Sequence, residues 1–159
     1  MVLNKRIISI FIVFYILTAC DGTLGGFDTI KFFTSKNELN EAINNLYVNH
    51  SEYKVPNELE KFNNWKKSGY DFLEAYTFYF DKNPKEFYYV SFVGDDETFR
   101  DTTHVDIAIR SVFIIDKKKW LKEEDFNEEE KIRIQKRFKD EIISKLEEYT
   151  KTKSEDLNE

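Results

Sequence analysis

The stretch FLEAYTFYFDKNPKEFYYVSFV, residues 72–93, decides the fold of this 159-residue chain. Aromatic and β-branched residues, which favour strands, fill both ends of it, so residues 72–80 and 87–93 are each predicted to form a strand. The residues between them include Asp81-Lys82-Asn83-Pro84, which has the composition of a turn. The stretch therefore predicts an antiparallel hairpin.

A further strand is predicted over residues 105–115, after a polar connection at residues 94–103. Its side chains alternate, with Val105, Ile107 and Ile109 on one face and His104, Asp106 and Arg110 on the other. This pattern is typical of a sheet with one packed face and one face that is partly solvated. Residues 29–33 are predicted to add a short strand.

Two helices flank the predicted strands. The first covers about 35–48 and begins with a capping box, in which the Ser35 hydroxyl and the Glu38 carboxylate each satisfy a backbone amide. The second covers about 127–150, with Asn127 as its cap and three glutamates in its first turn. A shorter helix is predicted from Pro56 towards Trp65.

These elements predict one α+β domain over residues 35–150: an antiparallel meander of three to four strands with both long helices packed on one face. The helices show apolar residues at helical spacing, namely Leu39, Ala42, Ile43, Leu46 and Tyr47 in the first and Ile134, Phe138, Ile142, Leu146 and Tyr149 in the second. Residues 151–159 are expected to fray as a polar tail.

The N-terminus carries a different signal. Lys5 and Arg6 precede about a dozen mostly apolar residues, which are too few to cross a bilayer but suit the hydrophobic part of a signal peptide. The segment ends in Leu17-Thr18-Ala19-Cys20. This motif resembles the lipobox of bacterial lipoproteins, in which a leucine stands three residues before the cysteine and small residues lie between.

The resemblance covers residues 1–20. It implies that residues 1–19 are a cleaved signal peptide, and that Cys20 carries acyl chains such as palmitate and anchors the protein in the membrane of a bacterial cell envelope. The domain would then face the periplasm or the exterior, joined to the anchor by a flexible tether at residues 20–34. The alternative is a plain secretory cleavage site or an uncleaved anchor, with Cys20 as an ordinary small residue.

Composition excludes several functions. Cys20 is the only cysteine, so its acylation leaves no thiol for a disulfide, a nucleophile or a metal site. Removal of Lys5 and Arg6 leaves 22 basic and 30 acidic residues, a net charge of −8, which opposes binding to nucleic acid. No phosphate-binding glycine loop occurs, and no cofactor is predicted.

Two groups of polar residues could form a chemical site, although each can also be explained as solvated surface positions. His104 and a carboxylate could activate Ser91 or Ser111 for hydrolysis, although the sequence has no Gly-x-Ser-x-Gly motif. The acidic loop from Asp95 to Asp101 offers carboxylates for calcium but lacks the spacing of an EF-hand. Neither pattern is specific, so no catalytic residue and no metal site is predicted.

The predicted hairpin is unusually rich in aromatic residues, and alternation sends some of them to each face. Either helices and loops bury both faces, or Tyr79, Tyr89 and Arg110 form an exposed surface of the kind enriched in protein interfaces. The anchor, the compact α+β domain and the lack of a catalytic motif together predict a lipid-anchored, non-catalytic module that binds an envelope protein, a toxin or a glycan. The alternatives are a small envelope hydrolase that uses carboxylates and a structural envelope component.

Overall fold

The structure is a computed structural model that describes residues 26–64 and 74–157. Cys20, the signal segment, Trp65 and residues 72–73 of the first predicted hairpin strand lie outside the described residues. The strands are β1 (Ile30–Phe32), β2 (Ala75–Phe80), β3 (Glu86–Val93), β4 (Val105–Ile114), β5 (Lys119–Leu121) and β6 (Ser154–Asp156). The α-helices are α1 (Lys36–Asn49), α2 (Glu128–Phe138) and α3 (Ser144–Thr150).

The strands form one antiparallel sheet in the order β2-β3-β4-β1-β6, with β5 also paired to β4. The predicted α+β class is confirmed. The predicted number of three to four strands is wrong, because the described sheet has six. Strands β5 and β6 have only three residues each; β5 pairs with the end of β4, and β6 pairs with the free edge of β1.

Strands β2 and β3 pair antiparallel from Ala75↔Ser91 to Phe80↔Glu86, so the predicted hairpin is confirmed. Strand β4 continues the meander on the other side of β3. The register between them shifts at Tyr89/Val90, because Tyr89 pairs with Ser111 whereas Val90 pairs with Ile109. Arg110 is therefore an extra residue in β4, and this bulge keeps the apolar residues before and after it on the same face.

Local sequence explains how the long helices begin. The Glu38 amide donates to the Ser35 hydroxyl at 3.3 Å, and the Ser35 amide donates to the Glu38 carboxylate at 3.1 Å, so the predicted capping box is confirmed. At the start of α2, the Asn127 side chain accepts from the Glu130 amide at 2.9 Å. Both caps satisfy backbone amides that a helix leaves without partners.

The predicted C-terminal helix is divided into three parts. A π-helical turn, Lys139–Ile143, joins α2 to α3, and Lys151 then ends α3 in the left-handed conformation with φ of 59°. The chain reverses there and reaches the free edge of β1, where it forms β6. Residues 154–156 are therefore part of the sheet and not of a frayed tail.

The main core lies between the helices and one face of the sheet. It is formed by side chains from α1, α2 and α3 and by alternate residues of the strands, among them Phe32, Phe78, Tyr88, Ile107 and Val112. The opposite face, here called the second face, has a smaller cluster of Tyr79, Phe87 and Phe113. A 3₁₀ helix, Asn57–Phe62, contributes Leu59 and Phe62 to this cluster, so one end of the second face is also covered.

Candidate partner-binding face

The predicted surface of Tyr79, Tyr89 and Arg110 does lie on the second face, but its tyrosines are not exposed. Tyr79 is 7% exposed and Tyr89 is 1% exposed. The Tyr79 ring packs edge-on against Phe87 at 5.7 Å between ring centres, and the Tyr89 ring packs against Trp120 at 6.4 Å. The predicted exposure of these tyrosines is wrong, because the cluster under residues 57–62 and the neighbouring aromatic rings bury them.

The hydroxyl of Tyr79 has a carboxylate partner. It donates a hydrogen bond to Asp81 at 2.7 Å. Burial, together with this carboxylate, raises the pKa of Tyr79 to about 12. The phenol is therefore neutral at physiological pH, and its role is to fix the turn between β2 and β3.

Arg110, the extra residue of the bulge, is half-buried. Its Nε donates to the Ser91 hydroxyl at 2.8 Å, and burial lowers the pKa of its guanidinium group. The chain passes close by, because a Cβ atom added to Gly26 would lie only 2.8 Å from the Ile109 carbonyl oxygen. Glycine at position 26 lets the N-terminal segment approach β4 beside Arg110.

The structure does not bring the candidate hydrolytic residues together. His104 Nδ1 lies 3.2 Å from an Asp101 carboxylate oxygen, at the start of β4. Ser91 pairs with Ala108, four residues further along, so it is roughly 13 Å from His104 at about 3.3 Å per residue. Ser111 is still further away. No serine–histidine pair is formed among these residues.

The carboxylates of the acidic loop cap local turns. Asp95 accepts hydrogen bonds from the amides of Glu97 and Thr98, and Asp101 accepts from the amide and the hydroxyl of Thr103. These hydrogen bonds lower the pKa values of both aspartates. Within residues 26–64 and 74–157, no group of three or more side chains is placed to hold a metal ion.

The other end of the second face has different properties. Alternation along β1 sends Ile30 and Phe32 into the core and Lys31 to the second face, and Phe33, which directly follows β1, is 47% exposed. Lys31 pairs with Asp106 of β4 on one side and with Glu155 of β6 on the other. We call this surface of Lys31, Phe33, Asp106 and Glu155 the β1 face.

Asp106 is the most unusual residue of the β1 face. Its Oδ1 atom is buried and has no hydrogen-bond partner within the described chain. Burial raises the pKa of Asp106, although the nearby Lys31 and His104 act in the opposite direction. An acceptor that is buried without a partner is costly.

The sequence alone does not predict the β1 face, because no local pattern indicates that β6 pairs with β1. One signal was present, since the adjacent residues Phe32 and Phe33 cannot both enter the core from the same face of a strand. One of the two had to lie on the second face. No simple pattern indicates Glu155, which lies in a charged segment.

Comparison with protein-family models, with curated proteins and with solved structures finds no match. No helix in residues 26–64 or 74–157 has both the length and the apolar character needed to cross a bilayer.

Proposed function

We propose that this protein is a bacterial lipoprotein, anchored through acylated Cys20 in the cell envelope, whose α+β domain is a non-catalytic module that binds another envelope protein. The observation that carries the anchor is the sequence Leu17-Thr18-Ala19-Cys20 after a short apolar segment. Two or more acyl chains on one residue hold a protein stably at a membrane, since each buried CH₂ contributes about 0.8 kcal/mol.

The start of the described domain agrees with a short tether. The Phe27 amide donates to the Ile109 carbonyl oxygen at 3.0 Å, so the chain joins the sheet seven residues after Cys20. Gly26 is six residues after Cys20, and six steps span at most roughly 20 Å at about 3.3 Å per residue. A tether of this length would keep the domain close to the membrane surface.

The β1 face is the surface that best supports protein binding. It combines the exposed ring of Phe33 with charges of both signs on Lys31 and Glu155. Protein interfaces are enriched in aromatic residues at the centre and have a polar rim. Asp106 pairs with Lys31 in the sheet and adds a carboxylate to this face. Tyr79 and Tyr89 lie at the other end of the second face, among aromatic rings, and are not part of the β1 face.

Two experiments test the proposal separately. Labelled palmitate should enter the wild-type protein but not Cys20→Ala, and incorporation into the variant would exclude the proposed anchor.

For the domain, affinity capture from native membranes should recover a defined partner with wild type and with Val48→Asp, but not with Phe33→Asp. Val48 is the matched control because it is 74% exposed on α1. Equal recovery of the partner with both variants would exclude the β1 face as the binding surface.

The alternative function is a hydrolase that uses carboxylates, and the raised pKa of Asp106 favours it, since such a group can act as a general acid. A second carboxylate is then needed nearby. The next strand position is Lys31, and Glu155 follows at two strand spacings, roughly 10 Å from Asp106 at about 4.8 Å per spacing. Lys31 therefore lies between the two carboxylates, and the pairing of the strands does not place them side by side. Protein binding is therefore preferred.

A further inference from the structure

Two side chains of opposite charge lie next to each other on the β1 face. Lys31 and Glu155 are direct neighbours in the pairing of β1 with β6, and both side chains lie on the second face. Neither side chain has an ion-pair or hydrogen-bond partner within residues 26–64 and 74–157. Both charged groups are therefore available to a molecule that binds this face.

Two exposed apolar side chains lie on either side of these charges. The Leu157 amide donates to the Thr29 carbonyl oxygen at 3.0 Å, so the pairing of β6 with β1 extends to this residue and directs Leu157 to the second face. Leu157 is 43% exposed, and Phe33, at the other end of the β1 face, is 47% exposed. A partner that covered both would remove a substantial apolar area from water.

This arrangement is complementary to itself under a twofold axis. An axis parallel to the strands, midway between β1 and β6, places Lys31 of one copy opposite Glu155 of a second copy, and symmetry repeats the pair in reverse. The same axis places Phe33 over β6 of the second copy and Leu157 over its β1. Because opposite charges meet twice and both apolar side chains are covered, the face matches a second copy of the chain.

The order of the strands leaves room for such a contact. β6 is the last strand of the path β2-β3-β4-β1-β6, so it lies at an edge of the sheet. With the axis between β1 and β6, the remaining strands of the two copies extend in opposite directions. The 3₁₀ helix Asn57–Phe62 covers the far end of the second face and does not meet the second copy. Only β1 and β6 face each other, as two sheets about 10 Å apart.

The same axis suits two proteins that are held by one membrane. The chain joins the sheet at Phe27, three residues before β1 begins. Because the axis is parallel to β1, the first strands of both copies start at the same end of the dimer. Cys20 lies at most roughly 23 Å from Phe27 at about 3.3 Å per residue, so both proposed anchors reach the same bilayer.

The size of the contact makes the membrane important. The facing surface is only two strands wide, which is small beside the roughly 800 Å² per partner of a standard stable interface. In dilute solution the association should therefore be weak. Anchoring in one bilayer raises the effective concentration of the two domains, and this compensates for a small contact.

We propose that the envelope protein bound by the β1 face is a second copy of this chain, in a twofold dimer that forms on the membrane. This inference rests on the proposed function, both for the anchor at Cys20 and for the β1 face as the binding surface. In the dimer, Lys31 of each copy binds Glu155 of the other, and Phe33 and Leu157 are buried between the two sheets.

Exchange of charges between copies tests the dimer. The acylated full-length protein, with a donor or an acceptor fluorophore at its C-terminus, is placed in phosphatidylcholine vesicles at low surface density. Energy transfer between wild-type copies should exceed the value for random placement. Lys31→Glu alone or Glu155→Lys alone sets like charges opposite each other, so this excess should fall at least fivefold. A mixture of Lys31→Glu with Glu155→Lys restores both opposite pairs and should recover the wild-type transfer.

Recovery in the mixture separates the contact from an effect on folding, because a second copy does not rescue a variant that fails to fold. Val48→Glu and Val48→Lys are the matched controls. Val48 is 74% exposed on α1, which packs on the other side of the sheet, so these variants should give wild-type transfer both alone and mixed.

The remaining outcomes distinguish this inference from the proposed function. Random transfer between wild-type copies, or a mixture no better than either variant alone, would overturn the dimer. If affinity capture with Phe33→Asp then loses a different membrane protein, the proposed function stands and only the second copy is excluded as the partner. If Cys20 carries no acyl chain, both the anchor and the membrane-bound dimer fail.

Discussion

Glu86 is a carboxylate with no exposed surface, and three side chains compensate for its burial. Arg133 contacts both of its oxygens at 2.6 and 3.0 Å, Arg137 contacts one at 3.1 Å, and the Tyr88 hydroxyl donates to it at 3.0 Å. Arg137 also donates to the Pro84 and Lys82 carbonyl oxygens and lies over the Phe80 ring. This cluster joins α2 to the hairpin of β2 and β3.

Removal of this carboxylate should be among the most damaging single changes. Glu86→Ala leaves two partly buried guanidinium groups without their counter-charge, so the free energy of unfolding should fall by about 3–5 kcal/mol. Urea unfolding followed by circular dichroism measures the change. Glu128→Ala is the matched control, because its pair with Lys131 is 83% exposed on the glutamate side and should change stability by about 0.5 kcal/mol or less. If both variants lost a similar free energy of unfolding, Glu86 would not be the residue that stabilises the contact between α2 and the hairpin.

Tyr79 should give a pH-dependent signal. Its pKa of about 12 lies above the ordinary tyrosine value of 10.0, so the folded state favours the neutral phenol. The stability that this group contributes is complete below pH 10 and is lost as the pH rises towards 12. In an absorbance titration at high pH, Tyr79→Phe should reduce the absorbance change near pH 12, where Tyr53 also titrates, and leave the changes at lower pH. If Tyr79→Phe instead removed an absorbance change near pH 10, the raised pKa of Tyr79 would be contradicted.

At the scale of single elements, backbone conformation predicts which substitutions help. Lys151 ends α3 with φ of 59° and Lys118 lies in the turn before β5 with φ of 49°, a region that costs an ordinary residue about 1–2 kcal/mol. Lys151→Gly and Lys118→Gly should each raise the free energy of unfolding by about 0.5–1 kcal/mol. Lys145→Gly, inside α3, should lower it by about 1 kcal/mol. Thermal unfolding of the three variants measures these changes. If all three variants were less stable than wild type, the expected gain at the two left-handed positions would be contradicted.

The cap of α1 allows a second prediction at this scale. Ser35→Ala removes the oxygen that accepts the Glu38 amide, so stability should fall by about 1 kcal/mol. Ser51→Ala is a suitable control, because the Ser51 side chain is exposed and makes no hydrogen bond to a described residue. Urea unfolding of both variants measures the difference, and equal stabilities would show that the capping box is not important.

Elements that depend on neighbouring residues were predicted well from the sequence. The cap of α1, the turn at residues 81–85 and the alternation of β4 all involve groups a few residues apart. The bulge at Arg110 and the pairing of β6 were not predicted, because they depend on strands far apart in the chain. The same reason explains the error at Tyr79 and Tyr89, since their burial is set by residues 57–62 and by Trp120, which no local pattern connects to the hairpin.

The topology of the whole molecule places the first and last described strands side by side. β1 pairs with β4 on one edge and with β6 on the other, so the sheet is complete only when residues 154–156 are present. Two further contacts fasten this end: the Ser154 amide donates to Glu147 at 2.8 Å, and Lys139 contacts Asp156 at 2.5 Å. The β1 face uses residues of this edge, namely Lys31 and Glu155.

Truncation after Lys151 should therefore change β1 more than any other strand. The free edge of β1 would be exposed, so its amides should exchange with solvent at least tenfold faster, and the protein should begin to self-associate through this edge. Hydrogen exchange and size-exclusion chromatography measure the two effects. Removal of residues 158–159 alone keeps β6 and should change neither. If truncation after Lys151 leaves the exchange of β1 unaltered, β6 does not close the sheet, and the β1 face would have to be assigned without Glu155.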